Sequence, residues 1–281
     1  MPTACLRSEG ECATPLGMRI VTWNINSLRF RLSLLERLVA TLSPDVICLQ
    51  ETKVTDELFP GAVGPALGYP YVARRGMKSY NGVAIFSRVP LSVTADSPDW
   101  CLKNDRRHLA VTLHIPSGPV TVHDFYVPAG GDIPDPAVNL KYAHKLAFVD
   151  ETTAHFTQNP PSRSILVGDL NIAPLEQDVW SHKQLLDVVS HTPPEVERLN
   201  AWMQAGFTDA MRHFVPADQK LYTWWSYRNK DWKASDRGRR LDHVWVTDDL
   251  VPSLRALTIL REARDWPSPS DHVPVMIDID L

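Results

Sequence analysis

The chain has 281 residues, with 29 Lys and Arg against 33 Asp and Glu and a net charge of −4. Its 44% hydrophobic and 22% charged residues exclude a disordered, collagen-like or coiled-coil protein and predict a sizeable core. The mild acidity excludes a uniformly basic nucleic-acid coat but not a local basic site. Cys5, Cys12, Cys48 and Cys101 form no CxxC pair, so neither a disulfide framework nor a zinc site is expected. No signal-peptide pattern opens the sequence, and no run approaches the roughly 18 apolar residues of a membrane helix. A cytoplasmic protein with no membrane partner is therefore expected.

Residues 1–17 read as a polar tail and 18–281 as a single domain. Met18–Asn26 is a buried strand ending in two Asn. Leu28, Leu32, Leu35, Leu38, Val39 and Leu42 recur at helical spacing, and Ser43-Pro44 stops that helix. Asp45–Glu51 is a second strand. Gly82–Ser87, Leu109–Ile115 and Val120–Val127 are β-rich runs, and their short connections predict antiparallel pairing of successive strands. A helical period spans about Ala137–Gln158. Ser164–Asn171 reads as a strand that opens a second strand-plus-helix unit, and Glu195–Ala205 as a short helix closed by Gly206. Leu221–Tyr227, Arg240–Val246, Leu257–Leu260 and Val273–Ile279 are further strands. The sum is an α/β (α+β) four-layer sandwich: two packed mixed sheets flanked by helices, in two pseudo-twofold halves that open on strands ending in paired polar residues.

Polar side chains stand at the ends of these runs: Asn24 and Asn26, Glu51, Tyr126, Asp169 and Asn171, Asp242 and His243, Asp271 and His272. Residues i and i+2 of a strand face the same side, so Asn24 with Asn26 and Asp169 with Asn171 each bring two oxygens to one face. Oxygen-only ligands suit a hard cation such as Mg²⁺ or Mn²⁺. Arg228–Arg240 holds six basic residues (Arg228, Lys230, Lys233, Arg237, Arg239, Arg240) against Asp231 and Asp236, with Trp224, Trp225, Tyr227 and Trp232 in or beside it. Such a loop can grip phosphates and stack on bases.

The ordered motifs are Trp23-Asn24-Ile25-Asn26-Ser27, Leu49-Gln50-Glu51-Thr52-Lys53, Tyr80-Asn81-Gly82-Val83-Ala84, Tyr126-Val127-Pro128, Gly168-Asp169-Leu170-Asn171, Tyr222–Arg228, Arg240-Leu241-Asp242 and Ser270-Asp271-His272. Together they resemble the exonuclease III family of abasic-site endonucleases, within the deoxyribonuclease I-like metal phosphodiesterases, over nearly all of Met18–Leu281. The resemblance implies a metal at Glu51, with Asn24, Asp169, Asn171, Asp271 and His272 close to it. It implies catalytic roles for Tyr126, Asp169, Asn171, Asp242 and His272, with Asp242 holding the imidazole and either Asp169 or His272 as the base. Mg²⁺ is the implied cofactor, with Mn²⁺ as an alternative. Double-stranded DNA with abasic sites or 3′ ends is the implied partner, and a monomer the expected state. The implied DNA contacts are Asn26, Arg75, Lys78, Tyr80, Arg107, Trp224, Trp225, Arg228, Arg239 and Leu241. Two departures bear on specificity: Ala129–Asp132 stands where the family usually presents Asn or Gln, and Arg239 where some relatives carry an aromatic residue. Competing readings are a phosphodiesterase for lipid, inositol phosphate or RNA, and a catalytically silent nucleic-acid-binding regulator; the latter would not need Glu51, Asp169 and His272 together.

Overall fold

The computed structural model describes residues 17–94 and 97–281, so the expected tail, apart from Gly17, lies outside the described residues. In chain order the first strands are β1 Gly17–Asn24, β2 Val46–Gln50, β3 Tyr71–Arg75, β4 Val83–Ser87, β5 Leu91–Val93, β6 His108–Leu113 and β7 Val120–Tyr126. The remainder are β8 Ser164–Asp169, β9 Thr208–Asp209, β10 Trp224–Trp225, β11 Gly238–Arg239, β12 Asp242–Val246, β13 Leu254–Ile259 and β14 Val275–Asp280. The longer helices are α1 Leu32–Leu42, α2 Leu140–Gln158 and α3 Pro193–Gln204.

Two six-stranded mixed sheets result, ordered β13-β14-β1-β2-β4-β3 and β5-β6-β7-β8-β12-β9, with β10 and β11 forming a separate small pair. In each large sheet the third and fourth strands are parallel and every other neighbouring pair is antiparallel. A parallel pair needs a crossover. The connection between β1 and β2 carries α1, and that between β7 and β8 carries α2. The second half therefore opens at β7, one strand earlier than Ser164–Asn171: β7 is the counterpart of β1, and β8 of β2. The expected pairing of successive strands holds for β6 with β7 but fails after β4, because the chain changes sheets there and β4 pairs with β2 and β3 instead.

Alternation places Ile20, Val46, Cys48 and Ile85 of one sheet against Val111, Val122, Val167 and Val244 of the other, in a dry layer between them. The opposite faces pack on α1 through Trp23, Leu35, Leu38 and Phe86, and on α2 and α3 through Phe125, Phe148, Leu166 and Trp202. The helices begin where polar caps allow. The Asn139 side chain accepts from the N–H groups of Lys141 and Tyr142, and Thr192 with Glu195 forms a capping box behind Pro193. Both starts differ from the periodicity reading by about two to three residues, since caps rather than apolar spacing fix helix ends. The expected strand Leu221–Tyr227 shrinks to the two residues of β10.

Beneath the site the apolar layer is interrupted. Gln50 Nε2 donates to Asp124 Oδ1 at 2.6 Å and to Thr22 Oγ1 at 2.9 Å. Burial pushes the Asp124 carboxyl well above the ordinary carboxylate range, against the opposing hydrogen bond from Gln50. The native state thus keeps a proton that the unfolded chain releases above pH about 3.9, so this group costs stability as pH rises from there. Asp124→Asn removes that cost. Its stability relative to the parent is expected to grow by about 1.4 kcal/mol per pH unit until the folded pKa is passed, read from urea midpoints at pH 5 and pH 8. Parallel curves for the two proteins would show Asp124 ionised in the fold and sink the idea.

Candidate active site

Asn24, Glu51, Tyr126 and Asp169 stand at or just beyond the ends of the two parallel strand pairs, and Asp242 faces Asp169 directly across the β8–β12 ladder. One rim collects them because the two sheets share one topology. Glycine at 168 makes the closest approach possible: a Cβ there would fall 1.9 Å from the Phe125 carbonyl oxygen, at φ +142°. Beyond the strands the chain turns sharply. Asn26, Glu51 and Asn171 take φ of +48°, +52° and +54°, an uncommon left-handed conformation that costs a non-glycine residue about 1–2 kcal/mol. Asn26 and Asn171 are therefore placed by turns rather than by i, i+2 strand alternation, which corrects the sequence reading of these pairs. The Asn81-Gly82 segment braces Glu51, with Lys53 N–H donating to Asn81 O at 2.9 Å and Thr52 N–H to Gly82 O at 3.1 Å.

A line of polar contacts crosses the rim. Tyr126 OH donates to Glu51 Oε1 at 2.8 Å, and Asn24 Nδ2 donates to Glu51 Oε1 at 2.9 Å and to Asp169 Oδ2 at 2.8 Å. Asp169 Oδ2 lies 3.5 Å from His272 Nε2, and His272 Nδ1 lies 2.8 Å from Asp242 Oδ2. Asn171 N–H donates to Asp169 Oδ1 at 3.0 Å, and Asn171 Nδ2 to Val127 O at 2.9 Å. Thr223 Oγ1 accepts the N–H of Asp242 at 3.1 Å, and Ser270 Oγ that of His272 at 3.2 Å, which fixes both partners of the imidazole pair.

Electrostatics sort the groups by role. Burial would lower the His272 pKa, but the Asp242 carboxylate, then Asp169, lift it to about 10, so the imidazole is cationic at neutral pH. Burial lifts Asp169 to about 7, with the His272 charge opposing and Asp242 adding. Glu51 goes the other way: burial would raise it, yet the Lys53 ammonium and the hydrogen bonds from Asn24, Lys53 and Tyr126 bring it below the usual value. The Tyr126 phenol is raised by burial first and then by Glu51 and Asp169, so it keeps its proton and spends it on Glu51.

Two groupings could hold a cation. Asp169, Asp242 and His272 offer three atoms within 4.8 Å of one another, but Asp242 and His272 are already engaged with each other. The better fit is the oxygen-only mouth beside them. Lys53 Nζ lies 2.8 Å from Glu51 Oε2 and 2.6 Å from Asn26 Oδ1, a protein cation occupying an oxygen cradle that a hard divalent ion also suits. Asp271 flanks it, its Oδ1 accepting from Asn26 Nδ2 at 3.2 Å and its Oδ2 from Trp224 Nε1 at 2.9 Å. Of two residues expected near the metal, Asn24 turns its Nδ2 to both carboxylates while its Oδ1 accepts the N–H of Asn26 at 3.1 Å, and the His272 imidazole is bracketed by Asp169 and Asp242.

The expected DNA contacts divide. Trp224, Arg228 and Arg239 line a cleft of about 940 Å³ beside the site, together with Trp180 and Arg237. Guanidinium groups stack on both tryptophans there, Arg239 over Trp224 at 5.4 Å and Arg237 over Trp180 at 4.7 Å. Lys78 and Tyr80 are exposed, the latter at 69%. Asn26 is half-buried in the Glu51 cradle. Arg75 and Arg107 are largely committed to the protein, Arg75 donating to Ser97 O and His108 O, and Arg107 pairing with Asp105 over the Tyr126 ring. Trp225 is a correction. At 1% exposure it packs in the core, with Nε1 on Asp236, so it has no face for DNA. Leu241 at 5% exposure likewise presents little surface. Arg240 does not belong to the basic loop's surface charge either: it is buried between Asp178 and Asp209. Lys53 had no role assigned from sequence. Its signal was two positions from Glu51, where a left-handed turn lets a lysine fold back.

The sequence pattern of the Endonuclease/Exonuclease/phosphatase family matches residues 21–272. An exodeoxyribonuclease III of Haemophilus influenzae is 31% identical over 273 residues, covering 92% of this chain and 98% of that protein. Two solved structures, an AP endonuclease from Archaeoglobus fulgidus and a 3′ phosphatase from Neisseria bound to a product DNA hairpin, each superpose with a TM-score of 0.83 at 29% identity. Each comparison covers 94% of this chain and 100% of the other. Likeness of this extent, in sequence and in the strand order that builds the rim, means that the chain belongs to the Endonuclease/Exonuclease/phosphatase family.

Proposed function

We propose that this chain is a Mg²⁺-dependent DNA phosphodiesterase of base-excision repair, incising 5′ to abasic sites and clearing 3′ ends, and that it acts on duplex DNA as a cytoplasmic monomer. The observation that carries the reading is the continuous line Tyr126–Glu51–Asn24–Asp169–His272–Asp242 beside a cleft walled by Trp224, Arg228, Arg237 and Arg239. Cationic and aromatic walls suit a polyanionic strand with bases to stack. Relatives carry the names exodeoxyribonuclease III, DNA repair nuclease and abasic-site endonuclease, which favours DNA over lipid or inositol phosphate. The described residues contain no helix long and apolar enough to cross a membrane.

Glu51, with Asn26 and Asp271 beside it, would hold a divalent ion, whose contribution is to neutralise charge on the phosphate. Asp169, lifted toward neutrality, takes a proton from the attacking water. Cationic His272 and the free N–H of the Asn171 amide donate to non-bridging oxygens as charge builds there. Water's oxygen bonds to phosphorus, and the bond from phosphorus to the leaving sugar oxygen breaks with its electron pair on that oxygen, which takes a proton from solvent. Asp242 keeps the imidazole charged and oriented.

The test is cleavage of a duplex carrying one abasic-site analogue, beside an undamaged duplex with a recessed 3′ end, each with Mg²⁺ and with EDTA. Incision 5′ to the analogue that EDTA abolishes is the expected result. Digestion from the 3′ end alone would make end trimming the main activity and implicate the Ala129–Asp132 departure. Folded protein that cuts neither substrate would overturn the reading in favour of a binding role.

A further inference from the structure

Lys145, on α2, is completely buried, and so is its partner Glu195 in the first turn of α3. The ammonium ion-pairs with Glu195 and donates to the main-chain oxygen of Asn171 at 2.8 Å and of Ala129 at 3.3 Å. Glu195 is saturated in turn by the N–H groups of Ser190 and Thr192 and by Thr192 Oγ1 at 2.6 Å. Against the same turn rests Arg239, donating to Val189 O at 2.9 Å and Ser190 Oγ at 2.7 Å.

A buried ion pair is a poor device for stability, because desolvation offsets the attraction and a packed apolar pair of similar volume does as well or better. Something other than packing therefore explains a lysine at this position. Asn171 is held at φ +54° by its N–H on Asp169 and its side-chain amide on Val127, both within the rim. The remaining anchor, on its carbonyl, comes from Lys145 beneath. The adjacent loop closes onto the lysine stem: a Cβ on Gly130 would fall 2.9 Å from Lys145 Cδ and 3.0 Å from Val189 Cγ1. One ammonium thus fixes Asn171 and the Ala129-Gly130 loop, and through Glu195 the turn on which Arg239 rests.

We propose that Lys145, balanced by Glu195, is a positioning residue for the cleavage reaction, holding the Asn171 main chain so that the Asn171 amide meets the phosphate. The proposal rests on the role given to Asn171 above. Exchanging both charges at once, Lys145→Met with Glu195→Gln, avoids leaving a buried charge unpaired and yet removes the donor to Asn171. On the abasic-site duplex this pair is expected to lower kcat by roughly 10- to 100-fold, with KM and Tm little changed, because a misplaced donor is lost chiefly in the transition state. Repeated in an Asn171→Ala background, the same pair should cost less than about twofold, since residues acting through one group are not additive. Lys145→Leu with Glu195→Gln is the second variant should the first pair fold poorly; it too removes the donor without leaving a buried charge unpaired, and its coupling to Asn171 is read in the same cycle. A kcat within twofold of the parent, beside an impaired Asn171→Ala, overturns the proposal while leaving the function intact. An equal loss in both backgrounds overturns it as well, since Lys145 would then act elsewhere. An Asn171→Ala protein as active as the parent removes the premise and faults the mechanistic reading first.

Discussion

Asp169→Asn is expected to reduce turnover of abasic-site DNA by about three orders of magnitude, the middle of the range for losing a positioned general base. The isostere preserves volume but not acceptors. In the parent both oxygens accept, Oδ1 from Asn171 N–H at 3.0 Å and Oδ2 from Asn24 Nδ2 at 2.8 Å, with His272 Nε2 a further 3.5 Å away. An amide has one acceptor, so its NH₂ must oppose a donor on one side. Turned toward Asn24 it also confronts the charged imidazole. One lost buried hydrogen bond costs about 1–3 kcal/mol, which a domain of this size survives. The variant should therefore remain folded, with a Tm a few degrees lower, and bind the duplex in EDTA nearly as tightly as the parent. Single-turnover cleavage within tenfold of the parent would remove Asp169 from proton transfer. Asn24→Ala should hurt less, because it takes away a spacer between two carboxylates and leaves both in place.

Much of this site was legible in the sequence, for a specific reason. Glu51, Asp169, Asp242 and His272 are polar residues at the ends of apolar runs, and a buried strand tolerates such residues chiefly where it emerges, Asp124 within β7 being an exception. The order of the motifs then carried the fold. What the sequence concealed is chemistry that depends on partners far along the chain. Lys145 draws no notice within the helical period of 137–158, because nothing local announces Glu195, 50 residues later. Arg240 reads as one more charge in a basic loop, although Asp178 and Asp209 neutralise it in the interior. Trp225 and its neighbour Trp224 are indistinguishable as letters. Alternation along β10 sends the first into the core and the second to the cleft. The opening of the second half was misplaced because β7 ends in a single tyrosine, whereas β8 ends in the conspicuous Asp169 motif.

The imidazole pair yields the other large effect. Asp242→Asn keeps an acceptor within reach of His272 Nδ1 and holds its backbone through Thr223, so the geometry survives while the charge is lost. Asp242 is the largest influence raising His272 to about 10, and without it the imidazole falls toward the ordinary value near 6.5. At pH 8, on the proposed mechanism, the parent would offer a cation to the phosphate and the variant a neutral ring. Turnover there should fall by about two to three orders of magnitude, and the alkaline limb of the pH–rate profile should move down by two units or more. Stability supplies an independent reading. A histidine whose folded pKa is raised contributes stability that is complete below the unfolded value near 6.5 and is lost as pH rises through about 10. In EDTA the parent should weaken across that window, and the variant should give a flatter curve. An unmoved alkaline limb together with parallel stability curves would mean that Asp242 orients the ring without charging it.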